Sequence, residues 1–519
     1  MTRVNRRWAA GVSTAALVLL VPACTTGGTG SSGDDGPSGG GSTVVRTTFT
    51  SDPKSFDPAK GDNLNDYMAA RVLYDTLVRR DDAGTIIPGL AATWTVAPDK
   101  IEFKLRDGIK CSDGTPLTAT AAAASLNYFA APETKAPAAK QVFGTGKTTA
   151  TGDDAANTVR IELDHPWADM LYGLAMPQTG IVCAVKDPAA LAAGKAPGTG
   201  PFTLAESQRG ATYTFTRRTD YTWGPAFSKM PEGKPPTSLV AAVVPNESTA
   251  ANKLTTGDLD HIAITGPDMD RFGTDWASTT LSSSNQFMVF NQRPGHPGAD
   301  PEVRKAIAAV TDRVAFNNAS TRGKGQMLTS ITDATSPCVL QREYAGPGMD
   351  KATAEGILKG KKIRILGLNV VSGGAGTAYL QAALEKAGAS VELRNVDLAT
   401  WATEFIGNTG QWDLGVMINI NLSATLTTPG SFMHGEDPPK GRNIGGTQNP
   451  DYSKNFLAAL ATTDPAEHCA RWTDAQNALI QRVDTVPLST VPQKNIYSKR
   501  ISAVTPGGYS DLTLLWVKG

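Results

Sequence analysis

Cys111, Cys183, Cys338 and Cys469, with five histidines, are the side chains here best suited to covalent or metal chemistry. No two of these cysteines are close in sequence, so a CxxC-type metal site is absent. Four widely spaced cysteines in an oxidising compartment point to disulfides rather than to a nucleophile, and three pairings are open. His165, His261, His296, His434 and His468 are scattered and form no dedicated metal motif. Two patterns mimic enzyme motifs: Gly28-Thr-Gly30-Ser-Ser-Gly33 has dinucleotide-binding spacing, and Gly36-Pro-Ser38-Gly-Gly40 has that of a nucleophile elbow. Neither lies between a strand and a helix, which both mechanisms require. Gly146-Lys147-Thr148 lacks the leading glycine of a phosphate loop, because Gln141 stands there. No nucleophile–base pair or pair of acids sits on a defined element. The expectation is a chain that is not an enzyme and carries no cofactor and no metal.

The N-terminus gives an address. Arg3, Arg6 and Arg7 precede an apolar run, Ala9 to Val21, too short to span a bilayer. Val21-Pro22-Ala23-Cys24 resembles a bacterial lipobox, which implies cleavage before Cys24 and acylation of that residue. Several acyl chains on one residue anchor a protein stably. An ordinary secretory signal is the competing reading, and Arg6-Arg7 leaves the twin-arginine export route open beside the general one. Thr25 to Thr43 is almost all Gly, Ser, Thr, Asp and Pro, the composition of a flexible tether of about 20–25 Å reach. Lys plus Arg and Asp plus Glu both number 49, and this balance argues against a nucleic-acid surface.

The elements that must position any site follow. Ile101, Phe103 and Leu105 alternate with polar residues, a strand with one buried face. Asp107-Gly108 is a turn, and Ser112-Asp113-Gly114 begins a second reversal. Asp300-Pro301-Glu302 starts a helix carrying Val303, Ala306, Ile307, Val310 and Val314. Residues 361–368, 390–396 and 412–418 have strand character, with a helix over 377–387 stopped by Gly388. This alternation predicts a parallel sheet covered by helices. Pro465 opens another helix, carrying Cys469, Trp472, Leu479, Ile480 and Val483 inward and ending near Val486-Pro487-Leu488.

Residues 101–118 resemble the signature segment of the family 5 extracellular solute-binding proteins. Further motifs occur in the family's order. Phe49 to Pro58 looks like its opening strand and loop, Val72 to Val78 like the following helix, and Gly198-Thr-Gly-Pro-Phe202 like the turn out of an inserted subdomain. In that turn the glycines are expected to adopt backbone geometry closed to other residues. Asn285 to Asn291 resembles the strand that crosses between lobes.

The resemblance implies an α/β, two-lobed periplasmic-binding-protein-like fold (type II, cluster C) with an extra subdomain inserted in the first lobe. The implied organisation is a signal peptide over 1–23, a tether over 24–43, a first lobe over 44–284 with the insertion at about 58–197, a second lobe over 285–494, and a return to the first lobe over 495–519. It implies the solute-binding subunit of an ABC importer, a monomer lipid-anchored at the outer face of the cell membrane. This subunit would close on a peptide or oligosaccharide and serve permease and ATPase subunits. A sensing lipoprotein and a nickel–chelate binder are the alternatives. It also implies Cys111–Cys183 and Cys338–Cys469 as the disulfides, each within one lobe. Cys111 stands where the family usually has a large apolar or aromatic residue. The candidate ligand-binding residues are Ser51, Asn291, Trp401, Asn419, Asn421 and Tyr509. Peptide binders of the family carry an aspartate just beyond the strand equivalent to residues 414–418, whereas Asn419 to Thr428 has no carboxylate. The resemblance therefore implies a ligand that is neutral or polar at this point, unless Asp52, Asp57 or Glu436 supplies the charge.

Overall fold

The computed structural model describes residues 43–519. The signal-like segment, Cys24 and nearly all of the tether lie outside the described residues.

The first lobe is built on a four-stranded sheet. Val44–Phe49 pairs in parallel with Ser238–Val243, followed by Thr212–Arg217 and Phe202–Gln208 in antiparallel order. Alternation turns Val45, Tyr213, Phe215, Leu239 and Ala241 to one face, where the helix Leu64–Leu73 packs through Met68, Ala69 and Val72. This helix lies earlier than expected: only Val72 and Leu73 of the 72–78 segment are helical, and Val78 opens the strand Val78–Arg80. Asn63 sets the helix start, its side chain accepting from Asn65 N and Asp66 N as an N-cap.

The inserted subdomain is an antiparallel sheet in the order Ala91–Ala97, Lys100–Leu105, Thr158–Leu163, Thr148–Asp153. Ile101, Phe103 and Leu105 are buried with Val159 and Ile161, as the alternation requires. Gly198 and Gly200, in the turn leading out, are not at positive φ. Close approach is what requires glycine there. A Cβ on Gly198 would lie 2.3 Å from Leu73 O, and one on Gly200 2.5 Å from Leu73 C. Cys111 bonds to Cys183 beside this turn, tying the end of the signature segment to the returning chain. Cys338 bonds to Cys469 in the second lobe.

The second lobe holds a six-stranded sheet in the order His261–Ile264, Thr485–Tyr497, Ala277–Phe290, Leu414–Asn419, Lys362–Leu368, Ser390–Val396. The last three strands are mutually parallel and the others antiparallel. Helices Pro301–Val310, Lys351–Leu358 and Ala375–Lys386 bury Val303, Ile307, Leu358, Leu380 and Leu384 against one face. Against the other face lie Trp401, Phe405, Trp412, Phe456 and Trp472. The strands Ala277–Phe290 and Thr485–Tyr497 run unbroken through positions 284/285 and 494/495. Their pairing shifts register twice, after Ser282 opposite Pro492 and before Phe287 opposite Pro487, where proline offers no N–H to the ladder.

Two expectations for this lobe change. Val314 is not on the first helix: the chain breaks at Thr311, and Asp312 caps a new helix, Arg313–Thr321, by accepting from Val314 N and Ala315 N. Val314 therefore points outward, 59% exposed. The helix from Pro465 ends at Gln481, Ile480 is only half-buried, and Val486-Pro487-Leu488 belongs to the long strand.

Candidate functional site

Strands Lys362–Leu368 and Leu414–Asn419 end side by side, and ligands bind beyond such carboxyl ends in open α/β sheets. Here the residues are small and polar. Asn419 faces Asn285 across the ladder. Asn285 Nδ2 and Asn421 Nδ2 each donate to Thr332 Oγ1 at 3.0 Å, and Asn421 Nδ2 also donates to Thr425 O at 2.8 Å. The Ser423 hydroxyl lies 3.2 Å from that of Thr425 and 2.8 Å from that of Thr428. Asn285 Oδ1 and Asn419 Nδ2 are buried without a protein partner. Buried polar atoms are almost always paired, so an acceptor and a donor left over on facing residues are candidate contacts for a ligand or water.

Against this strand-end surface comes a segment of the inserted subdomain. Ala168 N–H donates to Leu460 O at 2.9 Å. The Asp169 carboxylate accepts from the Thr427 hydroxyl and lies 3.5 Å from His468 Nε2. Nearby, Lys140 Nζ donates to Lys440 O at 2.8 Å and to Pro439 O at 3.2 Å. These contacts join residues of the inserted subdomain to residues of the second lobe. Ala168, Asp169 and His468 among them border a cavity of about 270 Å³, walled by Leu171 and Tyr172 on one side and by Leu426, Trp472 and the Cys338–Cys469 disulfide on the other. Asp169, Thr425 and His468 are polar residues in its lining.

A third cluster underlies the return of the chain to the first lobe. Arg71, Asp75, Arg79, Arg80 and Asp511 are all buried. Arg79 pairs with Asp511 at 2.5 Å and lies 3.9 Å from Asp75, whose carboxylate accepts from the Tyr221 hydroxyl. Arg71 donates to Tyr509 Oη at 2.7 Å, and Arg80 to Gly507 O. Burial pushes the Asp75 carboxyl above its ordinary range, against the pull of Arg79. Burial alike lowers Arg71 and Arg80, whereas at Arg79 burial, again the largest influence, is outweighed by Asp511, Tyr509, Asp75 and Tyr221 acting together.

Of the six residues expected at the site, the structure brings Asn419 and Asn421 together at the strand end. Tyr509 sits on the arginine cluster, half-buried. Ser51 is exposed and accepts from Asn65 Nδ2 at 2.9 Å. Asn291 is at the far end of its strand, donating to Trp412 O. Trp401 is core, 5.1 Å from the Phe405 ring. None of the six lines the cavity, although Asn421 reaches its wall through Thr425.

The expected counter-charges are elsewhere too. Asp52 accepts from Gly210 N and Tyr213 Oη, Asp57 caps the turn Pro58–Lys60, and Glu436 is exposed. The carboxylate at the cavity is Asp169. No local signal marked it, because its neighbours across the cavity come from distant parts of the chain. His468 and Trp472 were legible only as members of a helix.

Comparison with known proteins bears on this geometry. The model of the bacterial extracellular solute-binding proteins, family 5 (middle), matches residues 85–435. The periplasmic murein peptide-binding protein MppA of Escherichia coli K12 is 25% identical over 478 residues, covering 84% of this chain and 86% of that protein. A substrate-binding protein of Microbacterium hydrocarbonoxydans, crystallised with 4-hydroxybenzoate hydrazide, is 36% identical, with a TM-score of 0.81 over 92% of this chain and all of that one. The structure of Escherichia coli MppA superposes with a TM-score of 0.74 at 20% identity, over 92% of this chain and 98% of that chain.

Proposed function

The chain belongs to the bacterial extracellular solute-binding proteins of family 5, and from that premise we propose that it is the lipid-anchored capture subunit of an ABC importer. Members of this family bind solutes and do not transform them, so it is a binding protein and not an enzyme. In this reading Cys24 carries the lipid, Thr25 to Thr43 tethers the lobes outside the membrane, and closure around the solute is what a permease recognises.

The observation that carries the reading is the cavity, which takes its walls from the inserted subdomain and from the second lobe at once. A ligand held there touches both sides, so its binding energy favours the closed arrangement. At about 270 Å³ the space suits a compact solute rather than a long oligomer. At the strand end, the unpartnered Asn285 Oδ1 and Asn419 Nδ2 suit amide-like or hydroxyl groups. The Microbacterium protein was crystallised with 4-hydroxybenzoate hydrazide, a compact solute, and MppA is a murein tripeptide binding protein.

Mass spectrometry of solute released from gently purified protein, followed by calorimetric titration of the purified chain with that solute, tests the reading. The expected result is a compact solute that rebinds saturably and raises the melting temperature. A bound oligomer too long for the cavity would overturn the assignment of size. The anchor is tested separately: Cys24→Ser is expected to move the protein from the membrane fraction to the culture fluid or periplasmic wash. Membrane retention of that variant would remove the lipid from the proposal.

A further inference from the structure

We infer that Asp169 is the carboxylate that selects the solute, and that the solute joins a compact apolar body to a protonated amine or similarly N–H-rich head. This rests on the solute-capture reading above and narrows it to a chemical class.

The inference starts from a charge without an adequate partner. Asp169 is 5% exposed, yet it lines a cavity whose other walls are largely apolar. It precedes the short helix Met170–Gly173, but its side chain does not cap it. The carboxylate turns instead across the junction and accepts one hydrogen bond from the Thr427 hydroxyl. A carboxylate has room for about four acceptor bonds, and one hydroxyl leaves most of that capacity unused.

His468 does not complete the set of donors. Its Nδ1 donates to Ala459 O at 2.9 Å, and its Nε2 stands 3.5 Å from Asp169 Oδ1, too far for a good hydrogen bond. No lysine or arginine pairs with Asp169 among the described residues. A buried carboxylate with one hydrogen bond and no lysine or arginine beside it is costly, and a ligand that brings a cation and further donors relieves the cost.

The walls set the rest of the ligand. Leu171, Tyr172, Leu426 and Trp472 enclose a volume that fits one ring or a short branched chain beside the head group. Because Asp169 comes from the inserted subdomain and its partner Thr427 from the second lobe, a cation seated there bonds at the junction itself. Charge recognition and lobe closure become one event. The strand-end loop, which lacks a carboxylate, is left with the neutral polar contacts.

The test is a matched series of 2-phenylethylamine, 2-phenylethanol and 3-phenylpropionate, titrated into the purified chain and followed by calorimetry and tryptophan fluorescence. Asp169→Asn is the variant: it keeps the shape and the acceptor for Thr427 and removes only the charge, and its melting temperature checks the fold. The amine is expected to bind the wild type at least tenfold tighter than the alcohol, with the acid weakest. In Asp169→Asn the amine should lose at least tenfold while the alcohol stays within about twofold. Equal affinities across the series, or an amine preference that survives in Asp169→Asn, would overturn the inference and leave solute capture standing. If neither the series nor a library of peptides and sugars gave a saturable response, the capture reading would fall, and this inference with it.

Discussion

Asp511→Ala is expected to lower the stability of the folded chain by about 3–5 kcal/mol, the cost of leaving a buried charge without its partner. Arg79 is 3% exposed and pairs with Asp511 at 2.5 Å. Among the described residues the only other acid within ion-pair distance is Asp75, at 3.9 Å, which already serves Tyr221. Removing Asp511 also removes a cap, because its Oδ1 accepts from Thr513 N at 3.0 Å and from the Thr513 hydroxyl at 2.6 Å. Asp511→Asn separates the two roles. The amide oxygen can still cap the turn, so it is expected to recover only about 1 kcal/mol of the loss. Urea unfolding of the three proteins measures this. A loss below about 1 kcal/mol in Asp511→Ala would mean that water or Asp75 compensates Arg79. Through this pair the strand Val78–Arg80 holds the C-terminal return, and with it Tyr509.

The second large effect is expected at the Cys111–Cys183 disulfide. The bridge spans 72 residues of sequence, within which lie the strands Thr148–Asp153 and Thr158–Leu163 of the inserted sheet and the helix Ala119–Ala130 that covers it. Chain-entropy reasoning gives about 4 kcal/mol for a closed loop of this length, mainly by restricting the unfolded state. The double variant Cys111→Ala/Cys183→Ala is therefore expected to unfold at clearly lower denaturant, with Cys338–Cys469 intact. Cys111 is 1% exposed and packs within the subdomain core, so the loss of packing adds to the loss of the link. An unchanged unfolding midpoint would show that the reduced chain is already restrained in its unfolded state. Cys183 N–H still donates to Pro197 O in either case, which keeps the returning chain in register.

Much of this architecture was legible because its causes are local. The alternation of Ile101, Phe103 and Leu105 marks a strand wherever it occurs, and Asp300 ahead of Pro301 marks a helix start. The errors are of a different kind. Val314 continued the apolar period of its helix, but the Asp312 side chain could cap a new one, and a local hydrogen bond outweighed the periodicity. Val72 to Val78 is expected to be helical from its resemblance to the family's helix after the opening loop. Leu77 and Val78 are nevertheless buried in the inserted subdomain, where tertiary packing decides the backbone.

By itself the sequence determined the class of the protein through the resemblance carried by residues 101–118 and the motifs that follow in order, while periodicity, caps and turn residues, which act over a few positions, marked the individual elements. It also marked Asn419 and Asn421, because a strand end is a local event. Only the tertiary structure decided which charge lines the cavity. Asp169 meets Thr427 across 258 residues, and His468 comes to the same point from a helix of the second lobe. Nothing near residue 169 distinguishes that aspartate from the many that cap turns. Its role comes from being carried, by the packing of one lobe on another, to an apolar cavity where a carboxylate is costly unless something answers it.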